Sequence, residues 1–137
     1  MNFFLTEEKI INHEKGNIFH IIKKDSSGYN GFGEAYISSV NANSIKGWKM
    51  HKQMTLNLLV ILGKIRFVIF NPMKHIFSEV VISSAQNQRL TIMPGLWLAF
   101  EAVEVDSMIL NIADMAHDPL EQDNKDLDEL LFEWSKK

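Results

Sequence analysis

The chain has 137 residues, 46% of them hydrophobic, which is enough for one domain with a sizeable core. Its 14 Lys and Arg against 17 Asp and Glu leave a net charge of -3 with no basic block, which argues against duplex nucleic acid as a partner. It has no cysteine, so disulfides, thiolate metal sites and a Cys nucleophile are all excluded.

At the N-terminus, Met1 to Leu5 run directly into Thr6, Glu7, Glu8 and Lys9. That apolar stretch is too short, and its start too poor in basic charge, for a signal-peptide core, so a cytoplasmic location is the expectation. The turn cluster 28–33, with three glycines, precedes a strand predicted over 34–38. A second polar turn, 41–44, leads into Lys46-Gly47-Trp48-Lys49-Met50-His51, read as a short, polar extended segment. Residues 55–70 are dominated by Leu, Val, Ile and Phe with Gly63-Lys64 in the middle, which reads as two strands of a hairpin. The apolar run 58–62 falls far short of the about 20 residues of a bilayer span, so no membrane is expected.

Further strands are predicted over 80–82, 89–93, 96–103 and 107–113, with a turn at 86–88 and a stop at Pro94-Gly95. Short strands at near-regular spacing, without helical periodicity between them, argue for an antiparallel barrel or sandwich. Only the tail has a helical period: Leu127, Leu130, Leu131 and Trp134 follow acidic Asp126, Asp128 and Glu129, which predicts a helix over about 125–136.

Four segments carry a resemblance. Gly31-Phe32-Gly33-Glu34, the stretch from Lys46 to Asn57 with Gly63 to Val68, the Met93-Pro94-Gly95-Leu96-Trp97 turn, and Ala116-His117-Asp118-Pro119 occur in the order found in short cupins related to dTDP-4-dehydrorhamnose 3,5-epimerase. The likeness spans about 28–123 within a single domain, 1–137. It implies an all-β cupin barrel (a jelly roll), usually a homodimer, with a sugar nucleotide in its mouth and a place in bacterial surface-polysaccharide synthesis. The expected reaction is epimerisation next to the ketone of a 4-keto nucleotide sugar, with no cofactor. A lapsed enzyme that only binds the sugar nucleotide and a 3,4-ketoisomerase are the competing readings.

Epimerisation beside a ketone needs a base, a cation or donor for the enolate oxygen, and an acid to return a proton. The resemblance places the usual base histidine where this chain has Lys49. A free lysine titrates near about 10.4, so it suits an enolate or phosphate contact better than a base role. His51, two residues on and therefore on the same side of a strand, is the expected base. His117, oriented by Asp118, is the expected acid, with a turn-capping role as the alternative. Glu34 is expected on a sugar hydroxyl or a pocket cation, and Lys46 and Lys52 on the substrate. Asn57, an amide in an apolar run, should face a pocket or ladder to an adjoining strand. Arg66 suits a diphosphate, and Trp97 is either a stacking platform or core. A metal is not expected, because the places of a metal cupin's ligands read Lys49, His51, Thr55 or Leu56, and Leu98.

Overall fold

The computed structural model describes residues 3–134. Two five-stranded antiparallel sheets face each other and form the all-β cupin barrel. The first runs in the order β1 (Phe3–Glu7), β9 (Gln88–Ile92), β6 (Leu56–Leu62), β11 (Ser107–Ala113), β4 (Glu34–Val40). The second runs β12 (Gln122–Asn124), β5 (Ile45–His51), β10 (Trp97–Ala102), β7 (Lys64–Asn71), β8 (Ile76–Ser83). A small ribbon of β2 (Ile10–Ile11) and β3 (Ile18–Phe19) stands apart. Among the described residues no helix is long and apolar enough to cross a membrane.

Strand alternation divides each strand between two environments. Leu56, Leu58 and Val60 of β6 meet Ile65, Phe67 and Ile69 of β7 in the interior core, joined by Leu90, Leu98 and Ile109. The intervening residues of the second sheet point outward. Trp48, Val68, Phe70, Trp97 and Ala99 form a second apolar cluster on that sheet's outer face.

The stretch 55–70 departs from the expected hairpin. β6 pairs with β9 and β11, whereas β7 pairs with β8 and β10, so the two consecutive strands lie in opposite sheets. Gly63, at φ 79°, is the corner between them, and a Cβ there would collide with Ser107. Both strands are apolar because each lines the same core from its own side, not because they hydrogen-bond to each other.

The tail is also corrected. In place of a helix over 125–136, the described residues from 125 to 134 contain one 3-10 turn, Leu127–Glu129, in which Glu129 Oε2 accepts from the Asp126 N–H at 2.5 Å. Beyond the turn, Leu130, Phe132 and Trp134 pack against the outer cluster while Leu131 is 88% exposed, an alternation of two rather than a helical stripe. The extended segment follows the aromatic surface of Trp48 and Phe77; Trp134 lies 6.0 Å from Trp48 and Phe132 lies 5.4 Å from Phe77, centroid to centroid. Tertiary packing here outweighs a weak local preference.

Candidate active site

The edges of the two sheets leave a seam where β4 faces β5 and β12, and a cavity of about 380 Å³ opens there. Its apolar wall includes Met54, Leu56, Leu58, Leu98, Phe100 and Ile109. Its polar groups are Tyr36 and Ser38 from β4, Lys46, Lys49 and His51 from β5, Asn111 from β11, and Asn124 and Lys125 from the tail. A mostly apolar cleft of this size with a few convergent polar groups is the usual form of a small-molecule site.

Strand β5 supplies the densest chemistry. Trp48 and Met50 face the outer cluster, so Lys49 and His51 turn to the cavity. Between them and β10 the register shifts, Lys49 pairing with Leu98 and Lys46 with Phe100. That irregularity is how Lys46, three residues before Lys49, also comes to line the cavity.

His51 is buried, and its Nδ1 lies 2.7 Å from Glu121 Oε1. Glu121 is only 5% exposed, and its other oxygen accepts from the Gln53 and Met54 N–H groups at 2.9 and 2.8 Å. Burial pushes the Glu121 carboxyl up; the His51 hydrogen bond, the two backbone donors and the attraction of the imidazolium outweigh it, so its pKa lies below the ordinary 4.5. An ionised Glu121 accepts only, so in the neutral form of the His51 ring the proton sits on Nδ1 and the Nε2 lone pair is free.

The sign of that shift makes a prediction. A carboxyl depressed by folding contributes stability in full above about pH 4.5 and loses it as pH falls through the folded value. Thermal melts between pH 7 and pH 3 should therefore show wild type losing more stability on acidification than Glu121→Gln. Parallel curves for the two proteins would contradict this.

Among the described residues the Lys49 side chain makes no hydrogen bond or ion pair. The other cavity lysines are engaged. Lys46 Nζ bonds the Ser39 carbonyl at 2.6 Å and Ser38 Oγ at 3.4 Å, bridging the seam. Lys125 Nζ stands 4.9 Å over the Trp97 ring. Tyr36 enters from the opposite sheet, its oxygen accepting from Asn111 Nδ2 at 2.8 Å.

The remaining expected site residues fall elsewhere. Glu34 shares the inward face of β4 with Tyr36 but lies two residues further along and does not line the cavity. Lys52 is exposed, 3.5 Å from Asp123. Asn57 takes the ladder alternative: alternation sends it to the outer face between Leu56 and Leu58, where it accepts from Arg89 and Thr91 and donates to the Gly28 carbonyl. Arg66, on the outer face of β7, pairs with Glu79 and Glu101 at 2.9 and 3.2 Å. Trp97 is core of the outer cluster, not a rim platform. His117 and Asp118 are exposed and outside the cavity lining. The turn-capping expected of His117 falls instead to Asp118: its Oδ1 accepts from the Leu120 N–H at 3.0 Å and caps the 3-10 turn Pro119–Glu121 that delivers Glu121 to His51.

Tyr36, Asn111, Lys125 and Glu121 were not singled out from the sequence. Tyr36 was within reach, being on the alternation that selected Glu34. Glu121 had no signal, since 70 residues separate it from His51. No three His, Cys, Asp or Glu side chains cluster among the described residues, and of the metal-cupin ligand places only His51 carries a donor of the right kind, with its Nδ1 taken. The residues do not fit a bound divalent ion.

The chain is similar to several solved proteins. The dTDP sugar isomerase of Desulfovibrio desulfuricans G20 is 28% identical, with a TM-score of 0.90 over 98% of this chain and 92% of that one. The dTDP-4-dehydrorhamnose 3,5-epimerase of Bacillus anthracis shares the fold at 17% identity, with a TM-score of 0.85 over 98% of this chain and 86% of that one. So does the 3,4-ketoisomerase of Thermoanaerobacterium thermosaccharolyticum, at 18% identity and a TM-score of 0.79 over 89% and 86%. None of the curated proteins compared with the chain matches it. The family model FdtA, described as WxcM-like, C-terminal, matches residues 1–131, and the chain belongs to that family.

Proposed function

We propose that the chain is an isomerase of dTDP-linked 4-keto sugars that epimerises a carbon beside the ketone by removing and returning its α-proton. One observation carries this: a histidine held by a buried, ionised glutamate keeps a free ring nitrogen in a cavity that a tyrosine enters from the opposite sheet. His51 Nε2 takes the proton, and the bond's electrons move to the carbonyl oxygen as the enolate forms. The Lys49 ammonium stabilises that oxygen. Tyr36 returns a proton from the other wall, which inverts the carbon. Lys46 and Lys49 give the cavity the positive charge a diphosphate requires. His117, outside the cavity lining, has no part in this scheme.

A second reading, 3,4-ketoisomerisation, uses the same base and enolate, and a 3,4-ketoisomerase is among the proteins that share the fold. Incubation with dTDP-4-keto-6-deoxyglucose in deuterated water separates the possibilities by NMR. Epimerisation leaves deuterium on a carbon beside an unmoved ketone. Ketoisomerisation moves the carbonyl and labels the former ketone carbon. No label with any 4-keto sugar, despite binding of dTDP, would leave a binding protein only.

The proposal includes a homodimer working in the cytoplasm. Ile18 and Phe19 of the β2–β3 ribbon are 56% and 47% exposed, adjacent apolar side chains that a second copy would cover. Sedimentation velocity at micromolar concentration should give a dimer, and a monomer would count against it.

A further inference from the structure

We propose that Asn111 is a specificity-determining residue that reads a hydroxyl of the bound sugar, its side-chain oxygen accepting the ligand's O–H. The inference rests on the sugar-nucleotide reading above and adds to it a requirement on the sugar.

Asn111 occupies an inward position of β11 between Ile109 and Ala113, where the core pattern calls for an apolar residue. It is 4% exposed and lines the cavity. Its neighbours across the sheet are Leu58 on β6 and Tyr36 on β4. One arm of the amide is used, Nδ2 donating to Tyr36 Oη at 2.8 Å. The other is not: Oδ1 is buried and has no hydrogen-bond partner among the described residues. A buried amide oxygen without a donor costs stability, and such groups in native proteins are nearly always paired or functional. The surrounding wall of Leu56, Leu58 and Ile109 side chains holds no donor.

The donor must therefore come from the ligand, and that restricts its chemistry. A ketone, a diphosphate and the carbonyls of thymine are acceptors and cannot satisfy Oδ1. The donors on a dTDP-sugar are the hexose hydroxyls, the deoxyribose 3′-hydroxyl and the single N–H of the base. Tyr36 favours the sugar: its oxygen accepts from Asn111, which leaves its own proton to point at the ligand beside the Oδ1 position. A sugar ring presenting a hydroxyl next to the reacting carbon meets both demands at once.

Titration calorimetry tests this with dTDP, dTDP-6-deoxyglucose and the 2-deoxy and 3-deoxy analogues of that sugar nucleotide. Wild type should bind one of the two analogues at least about tenfold more weakly than the parent, as sites built around a hydroxyl do. Asn111→Leu should bind parent and analogues alike, while its affinity for dTDP alone matches wild type. If the Leu variant does not fold, Asn111→Val, which likewise offers no acceptor, carries the same comparison. Equal binding of both analogues by wild type, or discrimination that survives in the variant, would overturn the inference. So would a loss of affinity for dTDP alone in the variant, which would assign Asn111 to the nucleoside. A wild-type protein that fails to bind dTDP at all overturns the sugar-nucleotide reading, and this inference with it; binding without discrimination overturns this inference alone.

Discussion

His51→Asn should cut proton exchange on a 4-keto dTDP-sugar by at least about 10²-fold while dTDP affinity stays within about threefold, because a general base acts on the transition state and contributes little to ground-state binding. The structure sharpens the reason. His51 is placed by strand alternation in β5, its tautomer is fixed by Glu121, and Glu121 is itself held by two backbone N–H groups. Asn cannot offer a lone pair of comparable basicity. Lys49→Ala should weaken binding and exchange together, since an unpaired ammonium in the cavity serves the bound anion as well as the enolate. Lys49→His should raise exchange if a second imidazole beside His51 can share the proton work. Deuterium uptake read by NMR, alongside calorimetry with dTDP, checks all three. If His51→Asn exchanges at the wild-type rate and Lys49→Ala abolishes exchange without loss of binding, the lysine is the base and the roles are reversed.

How far the sequence revealed this site depended on whether the relevant physics was local. The side on which Lys49 and His51 point follows from the two-residue repeat of a strand, and the barrel follows from short strands with polar turns. The strand partners did not follow. The apolar run around Gly63 has the composition of a hairpin, yet the same composition serves two strands facing each other across a core, and only the pairing of β6 with β11 and of β7 with β10 distinguishes them. The tail shows the converse limit. Leu127, Leu130, Leu131 and Trp134 have helical spacing, but the burial of Leu130, Phe132 and Trp134 against Trp48 and Phe77 imposes an extended path. Glu121, the partner that gives His51 its chemistry, sits in a segment whose local signal is Asp-Pro. That signal marked the 3-10 turn without indicating what the turn carries.

Arg89→Ala should lower stability by about 3–5 kcal/mol and the melting temperature by on the order of 10–15 °C, the largest stability effect expected from any single charge in the molecule. Arg89 is 0% exposed on the outer face of the first sheet. Its Nε donates to Glu8 Oε2 at 2.8 Å, and its Nη1 donates to Asn57 Oδ1 at 2.5 Å and to Thr91 Oγ1 at 3.1 Å. Asn57 completes the network by donating to the Gly28 carbonyl at 3.1 Å. The guanidinium thus fastens the segment after β1 and the turn before β4 to the barrel wall. Truncation leaves the Glu8 carboxylate, with 12% of its side chain exposed, without a cation, and leaves Asn57 and Thr91 short of a donor, which is costlier than the lost contact alone. Lys52→Ala is the contrast. Its ion pair with Asp123 is 3.5 Å long with both side chains about half exposed, so its removal should change stability by no more than about 0.5 kcal/mol. Differential scanning calorimetry of the two variants beside wild type decides the matter. Arg89→Ala melting within about 3 °C of wild type would mean that water enters and replaces the guanidinium, and that the N-terminal segment is not held to the barrel by this network.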